Sequence, residues 1–423
     1  MNNGLPRSQT AFALVITLAL VALLVLALLA LSILVRFSSQ ISATVTYQTQ
    51  ARQNALLGLS VALGDLQRLA GPNARATGMA GIAGETPASQ FRQWCGVWDA
   101  SGTFLGWLTS GALMLDTPSL GTLPVIQLVE AKSVGPKPLS LTAYADEEYV
   151  DAGKVPLSVP DASGNFLVVG NYAYWVGDEG CKVSSTVPSR FSFTGAVTIS
   201  APSTPLNIAR MTIAFQQFDS ENAKKIVSFE QAPNLAYAAG KNLTAANLHD
   251  SFHHVTLSHL SVPAAGAQLE GGKVNVNTTS VPVWRALFES YNNAPGAAKF
   301  STAGRLTSAV NTVATGTGKP AKGPFTSIAA FGTYLASVLP SAGPPTGVSV
   351  MGVLSPMLTV RSDTFRIRAY GDATNPASDP ANPTIESTAY CEAIVQRTPD
   401  PAPDGLGRKF VIVYFRWLGP DDV

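Results

Sequence analysis

The stretch from Ala11 to Val35, AFALVITLALVALLVLALLALSILV, is 25 residues long and carries no charge. As a helix it measures about 37 Å, enough to cross the ~30 Å hydrocarbon core of a bilayer. The helical pattern does not stop there. Ile41, Val45, Leu56, Leu59, Leu63, Leu66 and Leu69 recur at helical spacing and mark one face, with Gln48 and Arg52 interrupting its middle. Gly71-Pro72 then supplies a stop, because glycine accepts a left-handed cap and proline cannot continue the helix. The spacing predicts one helix of about 60 residues, apolar all round in its first half and amphipathic in its second. A cleaved secretory signal has a shorter apolar run and an A-x-A-like site, whereas Ala27 and Ala30 are separated by two residues. A plain single-span anchor is the simpler alternative. A subunit whose helix leaves the bilayer and packs beside its neighbours suits the rest of the chain better.

The 28 Lys and Arg nearly balance the 27 Asp and Glu, so no basic excess drives nucleic-acid binding. Arg7 and the amino terminus precede the span and Arg36 follows it. That count narrowly favours a short head inside and a long body outside. Cys95, Cys181 and Cys391 form no framework: one disulfide with a spare thiol and three buried free thiols both fit.

Beyond the helix the chain reads as β-rich. Phe91 to Leu115 predicts a hairpin turning at Ala100-Ser101-Gly102, with Trp94, Trp98 and Trp107 as core. Phe166 to Val176 predicts a strand pair. Ala201 to Ala246 is mixed, with helices broken by Pro202, Pro205 and Pro233, and Phe252 to Val276 returns to short strands. Helical spacing marks Val281 to Asn292, Ala303 to Val313 and Phe325 to Leu339, a lobe ended by Gly343-Pro344-Pro345. Ser362 to Tyr370, Ser387 to Arg397 and Lys409 to Leu418 predict the closing strands of an antiparallel sheet.

Chemistry-bearing motifs are weak. All four histidines fall between His249 and His259, and His249, Asp250 and His253 invite a transition-metal site. The alternation from His253 to Leu257 is that of a strand, which scatters such ligands over two faces. Gly316 to Pro320 (GTGKP) lacks the Ser or Thr that a phosphate loop needs after its lysine. Asn242 and Asn277 open sequons for N-glycosylation. Calcium is the one cofactor for which donors stand out, at Asp146, Glu147, Glu148, Asp372 and Asp379, but without EF-hand spacing these read as a solvated loop. We expect no catalytic, cofactor-binding or metal residues.

Taken together, these stretches resemble the type IV pilin-like superfamily, and within it general secretion pathway protein K, the large minor pseudopilin, and PilX-type pilus assembly proteins. Arg7 to Leu24 (RSQTAFALVITLALVALL) looks like a class III prepilin signal. Tyr174 to Glu179 (YWVGDE) with Lys182-Val183, Gly272 to Thr279 (GKVNVNTT) and Ser362 to Ala369 (SDTFRIRA) are similar to three motifs of the large minor pseudopilin. The resemblance implies processing by a prepilin peptidase between Ala11 and Phe12, with methylation of the new terminus, although alanine stands where the family has glycine. It also implies a glutamate at the fifth mature position of ordinary subunits. Ile16 stands there instead, as in the large minor pseudopilin at a filament tip.

The expected fold is α+β and pilin-like: a long N-terminal transmembrane helix, an antiparallel β-sheet head and an inserted helical lobe. We divide the chain into a leader-like head (1–11), the transmembrane helix (12–35), its amphipathic continuation (36–72), a β-rich first part of the head (73–200), a mixed region with the helical lobe (201–345) and closing strands (346–423). The expected role is structural, as a minor pilin or pseudopilin that primes or caps a type IV pilus or type II secretion filament. Its partners are other pilin-like subunits, met through Ile16, Ile41, Val45, Leu56, Leu59, Leu63 and Leu66, together with the inner membrane and the prepilin peptidase, with the body periplasmic or extracellular. The competing class is a membrane-anchored periplasmic enzyme or binding protein.

Overall fold

The computed structural model describes residues 7–82, 87–129, 149–184 apart from 161, 162 and 165, 252–256, 273–315 apart from 295, 323–339, 343–379 and 383–419, with the pairs 191–192, 198–199, 260–261 and 270–271. Ala201 to Ala246, His249, Asp250, His259, the acidic trio at 146–148, Asn242 and Gly316 to Pro320 lie outside these residues.

One helix, α1 (Arg7–Ala70), runs 64 residues without a break. Gly71 closes it, donating its N–H to the Gln67 carbonyl, and the carbonyl of Gly71 accepts from Arg397 Nη2 at 2.6 Å and from the Arg408 amide at 3.0 Å. The last turn thus ends in partners rather than buried orphan groups.

The second half of α1 lies across a five-stranded antiparallel sheet. Three small strands come first: β1 (Arg75–Met79), β2 (Cys95–Asp99) and β3 (Phe104–Trp107), which form one sheet. The β2–β3 hairpin turns where the sequence predicts, its Asp99 carboxylate accepting from the amides of Ser101 and Thr103. Next, β4 (Val125–Val129) pairs with β5 (Val150–Gly153). The main sheet is built from β6 (Val155–Pro160), β7 (Phe166–Asp178), β8 (Thr364–Thr374), β9 (Ile385–Pro401) and β10 (Arg408–Leu418), in the order β10-β9-β8-β7-β6. The closing strands therefore stand where the sequence places them.

The predicted strand pair at Phe166 to Val176 is instead a single strand of 13 residues. Its Gly170-Asn171 looks like a turn, but the Asn171 amide and side chain both donate to the Asp372 carboxylate of β8, which holds the dipeptide extended.

Between β7 and β8 sits the helical lobe: α2 (Val281–Asn293), α3 (Ala303–Thr315), α4 (Ile328–Val338) and α5 (Gly347–Leu354). Ser280, Ser327 and Thr346 cap three of these helices, each accepting from an amide three residues on. The lobe runs past the expected stop at Pro345, because Thr346 and Ser349 form a capping box that starts α5. Its core centres on Trp284, fully buried, stacked on Phe331 with ring centroids 5.3 Å apart, and donating from Nε1 to the Thr278 carbonyl at 3.0 Å. Trp284→Ala is expected to cost about 3–5 kcal/mol. Hydrogen exchange should show faster amides across α2 and α4, with the main sheet still protected.

Candidate assembly surface and the network behind it

The face of α1 that meets the sheet is built from small residues. Ala51, Ala55, Leu59, Ala62, Leu66, Leu69 and Ala70 are buried on one stripe, those from Ala55 onward in one core with Phe365, Ile367 and Ala369 of β8 and Ala393 and Val395 of β9. Alanines at this spacing bring the helix backbone close to the strands. Gly371 completes the approach: a Cβ there would run into the backbone of Ala51 and Ala55. Polar side chains lock the helix lengthwise. Asn54 Nδ2 donates to the Asp372 carbonyl at 2.7 Å and Gln50 Nε2 to the Val169 carbonyl at 3.0 Å. Near the far end, Gln67 donates to the Leu406 and Arg408 carbonyls and accepts from the Phe410 amide.

This divides the stripe expected for partner contacts. Leu59 and Leu66 are buried within the chain, and Leu63 is half-buried and packed on the same core. Leu56 is exposed, as are Ile41 and Val45 beyond the end of the sheet. Of the expected stripe, Ile41, Val45 and Leu56 are therefore left free on this half of α1. Large apolar residues alone do not separate the two faces: Leu59, Leu66 and Leu69 lie on the docked one and Leu56 on the free one, while Ala51, Ala55 and Ala62, also docked, carry little hydrophobic signal. Phe12 and every large apolar residue from Leu14 to Val35 are exposed, and Ile16 is 45 % accessible.

The three motifs quoted above converge on one buried polar network, although they lie far apart in sequence. Asp178 accepts from the amides of Gly180 and Cys181 and from Thr77 Oγ1 at 3.0 Å. Asn275 Nδ2 donates to the Thr77 carbonyl and to Ser362 Oγ, each within 3.0 Å. Burial pushes the Asp178 carboxyl up, against the pull of these donors. Asn277 is fully buried, donates to the Thr77 and Phe325 carbonyls, and accepts from the Phe325 amide. It is a structural asparagine whose buried amide is not open to a glycan in the folded chain. Asp372 is likewise buried and its carboxylate accepts from Asn171, Lys154 and Tyr370. Its oxygens tie β7 and β8 together from within the core, not from a solvated loop.

Beside this network lies a cluster of charges. Glu179 accepts from Lys182 Nζ at 2.6 Å, from Arg366 Nε at 3.1 Å and from Thr256 Oγ1 at 2.5 Å. Glu392 meets Arg366 at 2.7 Å, Arg368 at 2.9 Å and Arg416 at 3.2 Å. The ring of Phe252 lies under Lys182, Arg366 and Arg368, its centroid 4.7–5.0 Å from each cation. Burial opposes ionisation of Glu392, but the three guanidiniums outweigh it and hold the carboxyl well below its usual range. Glu179 is also lowered, burial being overcome by Lys182 and Arg366.

Sequence reasoning missed this cluster, yet a signal existed. Arg366 and Arg368 alternate with Phe365, Ile367 and Ala369 in a strand buried on both faces, so their charges had to find partners indoors.

Of the histidines described, His253 packs edge-on to Trp175, and His254 Nδ1 lies 2.9 Å from Ser280 Oγ. Burial, with Lys182 nearby, pushes His254 down to about 4. The two imidazoles thus take part in core packing and hydrogen bonding. The three cysteines are free and buried, and burial raises each thiol, Cys391 to about 12.

The fold and this surface define a class: an α+β head on a rigid helix, one that is long and apolar enough to cross a membrane. No protein-family model matches the chain, and no curated protein does. Among solved structures, a chain of the GspK-GspI-GspJ complex from the type 2 secretion system of enterotoxigenic Escherichia coli is similar to it. The match covers 62 % of this chain and 83 % of that one, at 10 % identity and a TM-score of 0.28. Functional inference therefore rests on this chain's own residues.

Proposed function

We propose that this protein is a pilin-like subunit, a minor pilin or pseudopilin that primes or caps a type IV pilus or type II secretion filament. The observation that carries this reading is the unbroken passage of α1 from a bare half with a 25-residue charge-free run into a half bolted to the head. A plain anchor needs only a tether, and a flexible linker would serve. Without a joint, lateral packing of the apolar half fixes the orientation of the head, which is what ordered assembly requires. The buried charges pair with one another, which suits a structural role better than a catalytic one.

The place at a filament end rests on Ile16. A carboxylate in an apolar bundle is costly unless paired, so it sets register against a neighbour's amino terminus. Ile16 makes no such demand. The expected effect of Ile16→Glu is an unchanged fold, seen as an unchanged unfolding midpoint of the head, with impaired filament assembly.

A photo-crosslinking residue at Ile41, exposed above the span, tests the reading. In native membranes it should trap other proteins that begin with a long apolar helix; adducts with lipid alone would overturn the proposal. Copy number decides the tip role, since equal stoichiometry with the main subunit of purified filaments would rule it out. Ala11→Gly should raise the fraction of chains starting at Phe12 when a prepilin peptidase is co-expressed, as read by mass spectrometry. If neither form is shortened, the protein is a permanent anchor.

A further inference from the structure

Two hairpins of the main sheet end on the side facing the apolar half of α1. The β6–β7 hairpin carries Val159 and Phe166, and the β8–β9 hairpin carries Ile385, which pairs with Thr374. Thr374 Oγ1 donates to the Val168 carbonyl, so the two hairpin ends stand side by side. All three apolar residues face solvent: Phe166 is 78 % accessible, Val159 46 % and Ile385 44 %.

Their height above the span follows from helix and strand geometry. Gln50 bonds the Val169 carbonyl. Arg36, the first charge after the span, lies 14 residues earlier on the same helix, about 21 Å at 1.5 Å per residue. Phe166 lies three residues from Val169 in the direction of the span, about 10 Å along the strand. Its backbone is thus about 11 Å above Arg36. Headgroups occupy roughly 5–7 Å on each side of the hydrocarbon core, and spanning helices tilt by about 20° on average, which lowers one side of an attached head by several ångströms. Tilt toward the sheet, plus the reach of a phenylalanine side chain, closes the gap. Pro376, in the β8–β9 loop, already lines a groove along α1 with Val35, Ser38, Ser39 and Ser42.

We propose that this rim of the sheet, Val159, Phe166 and Ile385, rests in the headgroup layer of the bilayer that α1 crosses and holds the unassembled head against the membrane. The inference rests on α1 spanning a membrane. Because Glu386, beside Ile385, is exposed and Asn375 holds it at 2.9 Å, the fitting surface is zwitterionic phospholipid rather than anionic lipid. An exposed phenylalanine joined to the span by a rigid path is well placed for such an interfacial position.

The test uses the full chain in phosphatidylcholine vesicles, with an environment-sensitive fluorophore on a single introduced cysteine; the native thiols are buried. Labels go at Phe166→Cys, at Leu24→Cys inside the span, and at Val348→Cys, an exposed residue of α5 in the helical lobe. A nitroxide on the lipid headgroup should quench the label at 166 several-fold more than that at 348, and Val159→Cys and Ile385→Cys should follow 166. A mid-chain nitroxide should quench the label at 24. Quenching at 24 with equal, weak quenching at 166 and 348 overturns the rim proposal and leaves the membrane-spanning helix standing. No quenching at 24 overturns both.

Discussion

Replacing Glu392 by alanine is expected to remove about 3–5 kcal/mol of folding stability. The carboxylate is fully buried between Arg366, Arg368 and Arg416, all within 3.2 Å. Without it, two fully or nearly buried guanidiniums lose a counter-charge that water cannot replace, and Arg366 keeps Glu179 while Arg368 keeps the Leu128 carbonyl. Denaturant unfolding of the head measures the loss. The same carboxyl sets an acid limb. Its pKa is lowered in the folded state, so its contribution is fully present above the ordinary glutamate value near 4.3 and is lost as pH falls below that toward the folded value. Glu179, lowered for the same reason, acts in the same direction. Glu392→Gln should therefore flatten the decline of stability below about pH 4.3, and an unchanged acid limb would show that the cluster is not ionised as described.

Gly371→Val should cost about 3 kcal/mol, at the upper end for overpacking, because the added carbons meet helix backbone rather than a side chain that can rotate away. Its functional effect should be larger than the number suggests. The contact fixes α1 on the sheet, so the variant is expected to lose protection at the α1 amides from Ala51 to Leu59 before the sheet opens. Gly64→Ala is the matched control, since nothing lies within 4 Å of a Cβ there. As an exposed helical glycine it should gain roughly 0.5–1 kcal/mol. Equal protection of α1 in both variants would mean that Gly371 does not set the helix–sheet distance.

How the head is held, and by which residues, was legible only in part. The long helix, its stop at Gly71-Pro72, the Trp-rich hairpin, three helices of the lobe and the three closing strands follow from local rules: charge-free length, period, and turn residues. These are statements about a residue and its near neighbours, and a sequence contains them. The docking face of α1 followed only in part: Leu59, Leu66 and Leu69 stand on the apolar face that the spacing marks, but Ala51, Ala55 and Ala62 matter through what they leave out, and the strand that fills that space lies about 300 residues away. The convergence of Asp178, Asn275 and Ser362 did not follow, nor did the pairing of Glu179 and Glu392 with Arg366. By itself the sequence determined that this chain has a membrane-length helix and a β-rich head with a helical lobe. Only the tertiary structure decided which side of that helix is free, and that Phe166 stands exposed at the sheet end nearer the apolar half of α1, because register between distant strands is set by packing and buried hydrogen bonds that no local pattern records.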